Sequence, residues 1–170
     1  MNRLYVSHAI QSLVIIFIQV LLLKNVQVPV LDRYTLTIMI YPIVIIFLPL
    51  ETRRSVVIIG AFFVGLFIDL FYDSIGVHTA ALVLTGFLRT PVLQLVEPRQ
   101  GYRNGTTLSG KNYGLSWIMI FTAIMLLGHI LAYYSIDAFT FVFFLKIIVS
   151  TILTFLVSYI IILLYKSLVQ

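Results

Sequence analysis

The 170-residue sequence has no cysteine, one tryptophan, five prolines and only six acidic residues against eleven basic ones. Without cysteine there is no disulfide framework, no thiolate nucleophile and no cysteine-ligated metal. The lack of cysteine says little about redox compartment, because a chain buried in lipid needs no covalent staple. Charged residues make up 10% of the sequence, under half of the ~25% usual in soluble domains, so a water-facing surface could not be covered. Also missing are a repeat of fixed period, a heptad pattern, a low-complexity tract, an H-E-x-x-H zinc site and a G-x-S-x-G nucleophile elbow. These absences exclude a collagen, a disordered tail and the common hydrolase constellations.

What is present is apolar: 61% of residues are hydrophobic, with a mean hydropathy of +1.11. Runs long enough to cross a ~30 Å hydrocarbon core fall at residues 4–23, 34–50, 55–72, 76–96, 115–136 and 139–165. The expected fold is therefore all-α, a single polytopic domain over residues 1–170 with six transmembrane helices. The first run is expected to stay attached, since it continues into Leu21-Leu22-Leu23-Lys24 without a small-x-small cleavage site. The connections are short and polar. Only residues 97–114 have any length, and their Gly, Asn, Ser and Thr content reads as a loop without a core.

Positive charge near spans is retained in the cytoplasm. With six spans, Arg3, Arg53, Arg54, Arg99, Arg103, Lys111 and Lys166 share one side, against Lys24 and Arg33 on the other. Both termini are thus expected in the cytoplasm, with residues 24–33, Asp73 and Asp137 facing outward. The isoelectric point near 9.6 follows from this bias. It does not indicate nucleic acid, because the bases are scattered and lack interleaved aromatics. They suit anionic lipid headgroups instead.

A strongly polar group inside a span costs at least ~2.5–3.5 kcal/mol at its centre and normally faces protein or water. Counting ~1.5 Å per residue puts Gln19, Asp69, His129 and Lys146 in one polar layer about 18–21 Å from the cytoplasmic ends. Asp69 with Lys146 is the expected ion pair, with Gln19 and His129 as hydrogen-bond partners. A structural clasp, a proton relay and a substrate site would all use these residue types. Arg89, about 10 Å deep, either reaches Gln11 or snorkels to headgroups. Pro42, Pro49 and Pro91 are expected to bend or end helices. Ala61, Gly65, Asp69 and Asp73 recur every four residues and so share one face, small and then acidic, which reads as a packing or interaction seam.

Residues 105–112 (GTTLSGKN) match the G-x-x-x-x-G-K of a phosphate loop, but place Asn112 where a magnesium-binding Ser or Thr is needed, with no αβ context. Asn104-Gly105-Thr106 fits a glycosylation sequon on the expected cytoplasmic side, where no sugar is added. His8, His78 and His129 fall on three segments. No metal or cofactor is expected.

Residues 65–81 (GLFIDLFYDSIGVHTAA), followed by Gly86-Phe87-Leu88-Arg89, resemble the rod-shape-determining MreD family of bacterial inner-membrane proteins. That family has a G-L-x-x-D helix, a short acidic turn, a G-x-x-(T/A)-(L/A) helix start, and then a Gly and a basic residue. Gly65, Leu66, Asp69, Gly76, Thr79, Gly86 and Arg89 stand at the matching positions. Outside residues 60–90 only hydropathy agrees, the fourth loop is long for the family, and Lys146 has no counterpart there.

The resemblance implies a non-enzymatic, multi-pass subunit of the cell-wall elongation machinery in the bacterial plasma (inner) membrane. Such a subunit helps to maintain rod shape by regulating peptidoglycan synthesis. It binds MreC and, with it, influences the RodA glycosyltransferase and the elongation-specific penicillin-binding transpeptidase, with MreB involved indirectly and membrane lipid around it. The family is similar in fold to the substrate-binding subunits of energy-coupling-factor transporters, so the alternative is a substrate-binding membrane subunit of a small-molecule transporter. A lipid-directed enzyme would need two ionisable groups within reach of each other at an interface, and Asp73 with His78 is the one candidate pair.

Overall fold

The computed structural model describes residues 2–31, 33–102, 108 and 110–169. Its elements are α1 (Asn2–Leu21), a 3-10 turn (Leu23–Asn25), β1 (Gln27–Val30), β2 (Tyr34–Thr37), α2 (Ile43–Ile46), α3 (Arg54–Tyr72), α4 (Val77–Leu95), α5 (Gly110–Tyr113), α6 (Leu115–Ala138), a second 3-10 turn (Phe141–Phe143) and α7 (Phe144–Val169). The chain is mostly helical. Four segments are long and apolar enough to cross a membrane: Val6–Asn25, Arg54–Tyr72, Leu115–Ala138 and Phe144–Leu168. α4 carries His78, Arg89 and Gln94 and does not join them.

The expected helix at residues 34–50 does not form. Its first part is β2, paired antiparallel with β1 from Gln27↔Thr37 to Val30↔Tyr34, and its second is the single turn of α2. The fold is therefore not purely helical. The local signal is proline, since α7 is about as rich in Ile, Val and Thr and is helical throughout: Pro42 restricts Tyr41 before it toward extended backbone, and Pro49 follows seven residues on. Beyond β2 the chain stays non-helical through Ile40.

Such a segment survives inside an apolar bundle only if its backbone polar groups find partners in protein. On one edge, the N–H groups of Thr35, Thr37 and Met39 donate to the hydroxyls of Ser150 (3.2 Å), Thr154 (3.1 Å) and Ser158 (2.9 Å) on α7. Two extended residues advance about 6.6–6.8 Å and four helical residues about 6.0 Å, so the two periods stay in step over this short ladder. Tyr134 of α6 donates to the Thr35 carbonyl (2.9 Å) and meets the Thr154 hydroxyl (2.8 Å). On the other edge β1 ends, and the Gln19 side chain takes its place. Its amide nitrogen donates to the Ile38 carbonyl (3.0 Å) and its oxygen accepts from Ile40 N–H (2.9 Å). Because Thr35 turns its N–H to α7, the opposing Pro29 sits where the β1–β2 ladder asks for no donor.

Residues 34–50 run the length of the bundle. Tyr34 to Thr37 lie at the hairpin end, whereas Lys166 in the last turn of α7 stands over the Phe47 ring (3.8 Å) and His8 near the start of α1 bonds the Val44 carbonyl (3.1 Å). α1 thus begins, and α7 ends, at the same end of the molecule. The stretch from Tyr41 to Phe47 is buried together with Phe121, Leu126 and Ile130 of α6 and Leu82 of α4. Phe62, Phe63, Leu70, Leu156 and Ile160 are among the large apolar side chains turned outward, as expected where the surrounding solvent is hydrocarbon.

Candidate functional site

The residues carrying the family resemblance converge on the α3–α4 hairpin. Gly65 permits its close approach: a Cβ there would stand 2.5 Å from Thr79 Cα and 3.0 Å from Thr79 N, so any side chain would drive the helices apart. Gly86 lies against Ala61 and Val57 in the same seam. The turn reverses the chain through Asp73 (φ 54°) and Gly76 (φ 92°), both left-handed; glycine takes that conformation without a steric cost.

The Asp69 carboxylate closes the hairpin. It accepts from Gly76 N–H (3.0 Å), His78 N–H (2.9 Å), Thr79 N–H (3.0 Å), the Thr79 hydroxyl (2.5 Å) and the Ser74 hydroxyl (3.3 Å). The first N–H groups of a helix have no partner within it and attract negative charge. Asp69, from the preceding helix, supplies both a cap and a counter-charge to the start of α4. Its expected ion pair with Lys146 is absent. Asp69 is 2% exposed, while Lys146 lies exposed on α7; the carboxylate is occupied by nearer donors.

Arg89 is 3% exposed and spends its hydrogen bonds inside the chain, not on Gln11. Its guanidinium donates to the carbonyls of Ile46 (3.1 Å), Leu48 and Pro49 (3.4 Å). It binds the last carbonyl of α2 and two carbonyls of the proline-interrupted stretch just beyond it, where a helix end leaves acceptors that favour a cation. Asp69 and Arg89 therefore tie two irregular pieces of backbone to α4, one at each end. Leu66 alone of the family-like residues is exposed on the outer side of α3.

Ala61, Gly65 and Asp69 of the four-residue seam face α4 and are buried, so that face is used up inside the chain. Asp73 departs from it: its carboxylate is 91% exposed and pairs with Lys24 at 3.7 Å. His78, by contrast, is 1% exposed, and the two are not brought together.

The expected polar layer is redistributed. Gln19 donates to Tyr72 (2.7 Å) as well as to the extended segment. His129 enters a buried chain of side chains: Thr85 Oγ1 to His129 Nδ1 (2.8 Å), His129 Nε2 to Tyr41 Oη (2.7 Å), Tyr41 Oη to His78 Nδ1 (2.9 Å). One backbone contact gives this chain its direction. The Thr85 hydroxyl donates its only proton to the Ala81 carbonyl (2.8 Å), so it accepts from His129 Nδ1–H. His129 Nε2 then accepts from Tyr41 O–H, and the Tyr41 oxygen accepts from His78 Nδ1–H. His78 Nε2 is left as a lone-pair acceptor, buried and without a partner. The His78 ring sits between Tyr72 and Tyr133, with centroids 4.6 and 4.8 Å away.

Tyr72 and Tyr133 also line a cavity of about 260 Å³ at the hairpin end, with Gln27, Thr35, Thr37, Ser74, Tyr134, Asp137 and Lys146. Lys146 thus belongs to a cavity wall, not to the Asp69 cluster. At the other end of the bundle, Tyr102 donates to the Leu93 carbonyl (2.7 Å) and Trp117 Nε1 to the Val96 carbonyl (2.7 Å). Burial pushes the Tyr102 phenol up to about 12, so it remains a neutral donor near neutral pH. Half of the phosphate-loop-like stretch (residues 105–107 and 109) and all of the glycosylation sequon lie outside the described residues. Among the described residues no group of three or more His, Asp or Glu side chains is arranged to hold a metal ion.

Sequence reasoning missed Tyr41, His78 as part of a chain, and the Ser150–Thr154–Ser158 ladder. The last left a readable signal, three small hydroxyls at four-residue spacing along an otherwise apolar helix; the first two left none, because their contacts depend on how the helices pack. No protein-family model, curated protein or solved structure matches this chain.

Proposed function

We propose that this chain is a non-catalytic integral membrane subunit of the bacterial cell-wall elongation complex, the role that the resemblance to the MreD family implies. It binds MreC in the plasma membrane and, through it, acts on RodA and the elongation-specific transpeptidase. What supports the reading is the use made of the family-like residues. Asp69, Gly65, Gly76, Thr79, Gly86 and Arg89 all serve to lock α3, α4 and the 34–50 segment together, which suits a rigid scaffold. Arg53, Arg54, Arg99 and Lys166 stand at the end where the chain begins and finishes, and the positive-inside bias makes that end cytoplasmic. Because Ala61, Gly65 and Asp69 are buried against α4, the partner surface belongs to the outward faces, with Phe63, Leu66, Phe67 and Leu70 of α3 the first to test.

The test is mild-detergent purification of the tagged protein from its native membrane at endogenous level, with mass spectrometry of what accompanies it. Recovery of MreC with RodA or the transpeptidase is the expected result. The second reading, a substrate-binding subunit of a small-molecule transporter, is favoured by the polar cavity at the hairpin end. Recovery of ATPase subunits and a coupling membrane protein would replace the first reading with the second.

A further inference from the structure

The geometry points to a binding site for a small zwitterion, an ammonium and an anionic oxygen group a few atoms apart, in the hairpin-end cavity between Asp137 and Lys146. Asp137 ends α6 and Lys146 opens α7, so the two charges stand on either side of the α6–α7 corner. Both line the 260 Å³ cavity, and both also line a neighbouring one of about 190 Å³ whose other walls are Tyr134, Ala138, Phe143 and Ile147. Although opposite in charge, they form no ion pair with each other. Among the described residues the ion pair is Lys24 with Asp73, and Asp137 and Lys146 are left without a counter-charge. In a chain with so few charges, two unpaired and opposite ones beside one cavity match a ligand that carries both.

The remaining walls agree with this chemistry. The larger cavity is rich in hydroxyl and amide groups (Thr35, Thr37, Ser74, Gln27) and its inner wall is the Tyr72–Tyr133 pair. The Asp137 carboxylate is the anionic group in the wall and faces the ammonium. The anionic group then lies toward Lys146. The volume is below the ~300–1,000 Å³ of sites that enclose drug-sized ligands, which suits an amino acid or a lipid headgroup. The smaller cavity, with Phe143 and Ile147 in its wall, gives an acyl-linked headgroup an apolar way in.

Two sources carry this chemistry, a free amino acid and an ethanolamine phospholipid headgroup. This site is independent of which protein partners the chain has, and a binding measurement on the purified protein stands or falls apart from any co-purification. The full-length protein, in detergent stripped of ethanolamine lipid, is titrated with L-serine and, separately, with a short-chain phosphatidylethanolamine; L-lactate, ethylamine and a short-chain phosphatidylglycerol serve as single-charge controls. A rise in the melting midpoint with L-serine identifies a free zwitterion and a rise with phosphatidylethanolamine alone identifies the headgroup, as mass action requires of any ligand that prefers the folded state. Asp137→Asn and Lys146→Gln should each weaken binding at least about tenfold, while their unliganded midpoints stay at the wild-type value because both side chains are exposed. The proposal is overturned if neither zwitterion shifts the midpoint, if the single-charge controls act equally well, or if both variants bind like wild type.

Discussion

Two neighbouring stretches, residues 34–50 and α3, look alike by hydropathy and are built in opposite ways. α3 satisfies its own backbone, buries a seam of Ala61, Gly65 and Asp69, and turns its bulky residues outward. Residues 34–50 satisfy their backbone internally only in the turns from Ile40 to Leu48; the rest depends on β1, α7 hydroxyls, the Gln19 amide and the Arg89 guanidinium. The difference is instructive because lipid enforces the same rule on both: every peptide group needs a partner. A helix meets the rule locally. A non-helical strand meets it only if other segments offer polar side chains at the right spacing, so its stability is a property of the whole bundle.

Substitutions can break this contrast in graded fashion. The largest loss is expected for Asp69→Ala, which removes a charged acceptor and leaves the buried N–H groups of His78 and Thr79 unsatisfied. A cost of about 3–5 kcal/mol in reversible unfolding from mixed micelles is expected. A cost under ~1 kcal/mol would mean that the α4 start finds other partners. Next comes Gly65→Ala, where the added methyl meets the Thr79 backbone; about 2–3 kcal/mol is expected from the forced separation, with crosslinking of α3 to α4 as the structural readout.

Thr154→Val keeps the shape of the side chain but removes the acceptor for Thr37 N–H and the partner of Tyr134. It should cost about 1–2 kcal/mol, and hydrogen exchange at residues 35–39 should rise while that of α3 stays unchanged. Equal exchange in both regions would abolish the distinction between self-satisfied and borrowed backbone. The smallest effect is expected for Pro42→Ala, about 0.5–1 kcal/mol, because Pro42 already has a φ of −59° that alanine also adopts. If that single change converted residues 34–50 into a continuous helix, by oriented circular dichroism, the α7 ladder would be a consequence of the prolines and not the reason the strand is stable.

Much of the organisation was legible in the sequence. Four of the six expected spans appear as long apolar helices, because ~20 apolar residues in a row have few alternatives in lipid. α4 was also visible as a helix despite His78 and Arg89, and the G-L-x-x-D to G-x-x-T pattern pointed to the hairpin that Asp69 closes. The Asp69–Lys146 pair was inferred from depth alone. Depth orders residues along a helix axis but carries no information about which face they occupy. The same limit applied to Ala61, Gly65 and Asp69, whose periodicity showed that they share a face without showing that α4 would cover it.

What the amino-acid sequence determined by itself is therefore the apolar character, the mainly helical class and the positions of the four helices long and apolar enough to cross a membrane, since these follow from local hydropathy and chain length. The tertiary structure decided the path of residues 34–50, the partners of Asp69 and Arg89, the direction of the Thr85–His129–Tyr41–His78 chain, and the placing of Asp137 and Lys146 beside one cavity. Each of these depends on hydrogen bonds or charges brought together by packing, across one tight turn for Asp69 and across more than forty residues for Arg89 and His129. Such bonds are directional and short-ranged, so nothing in local composition announces them until packing has set the distances.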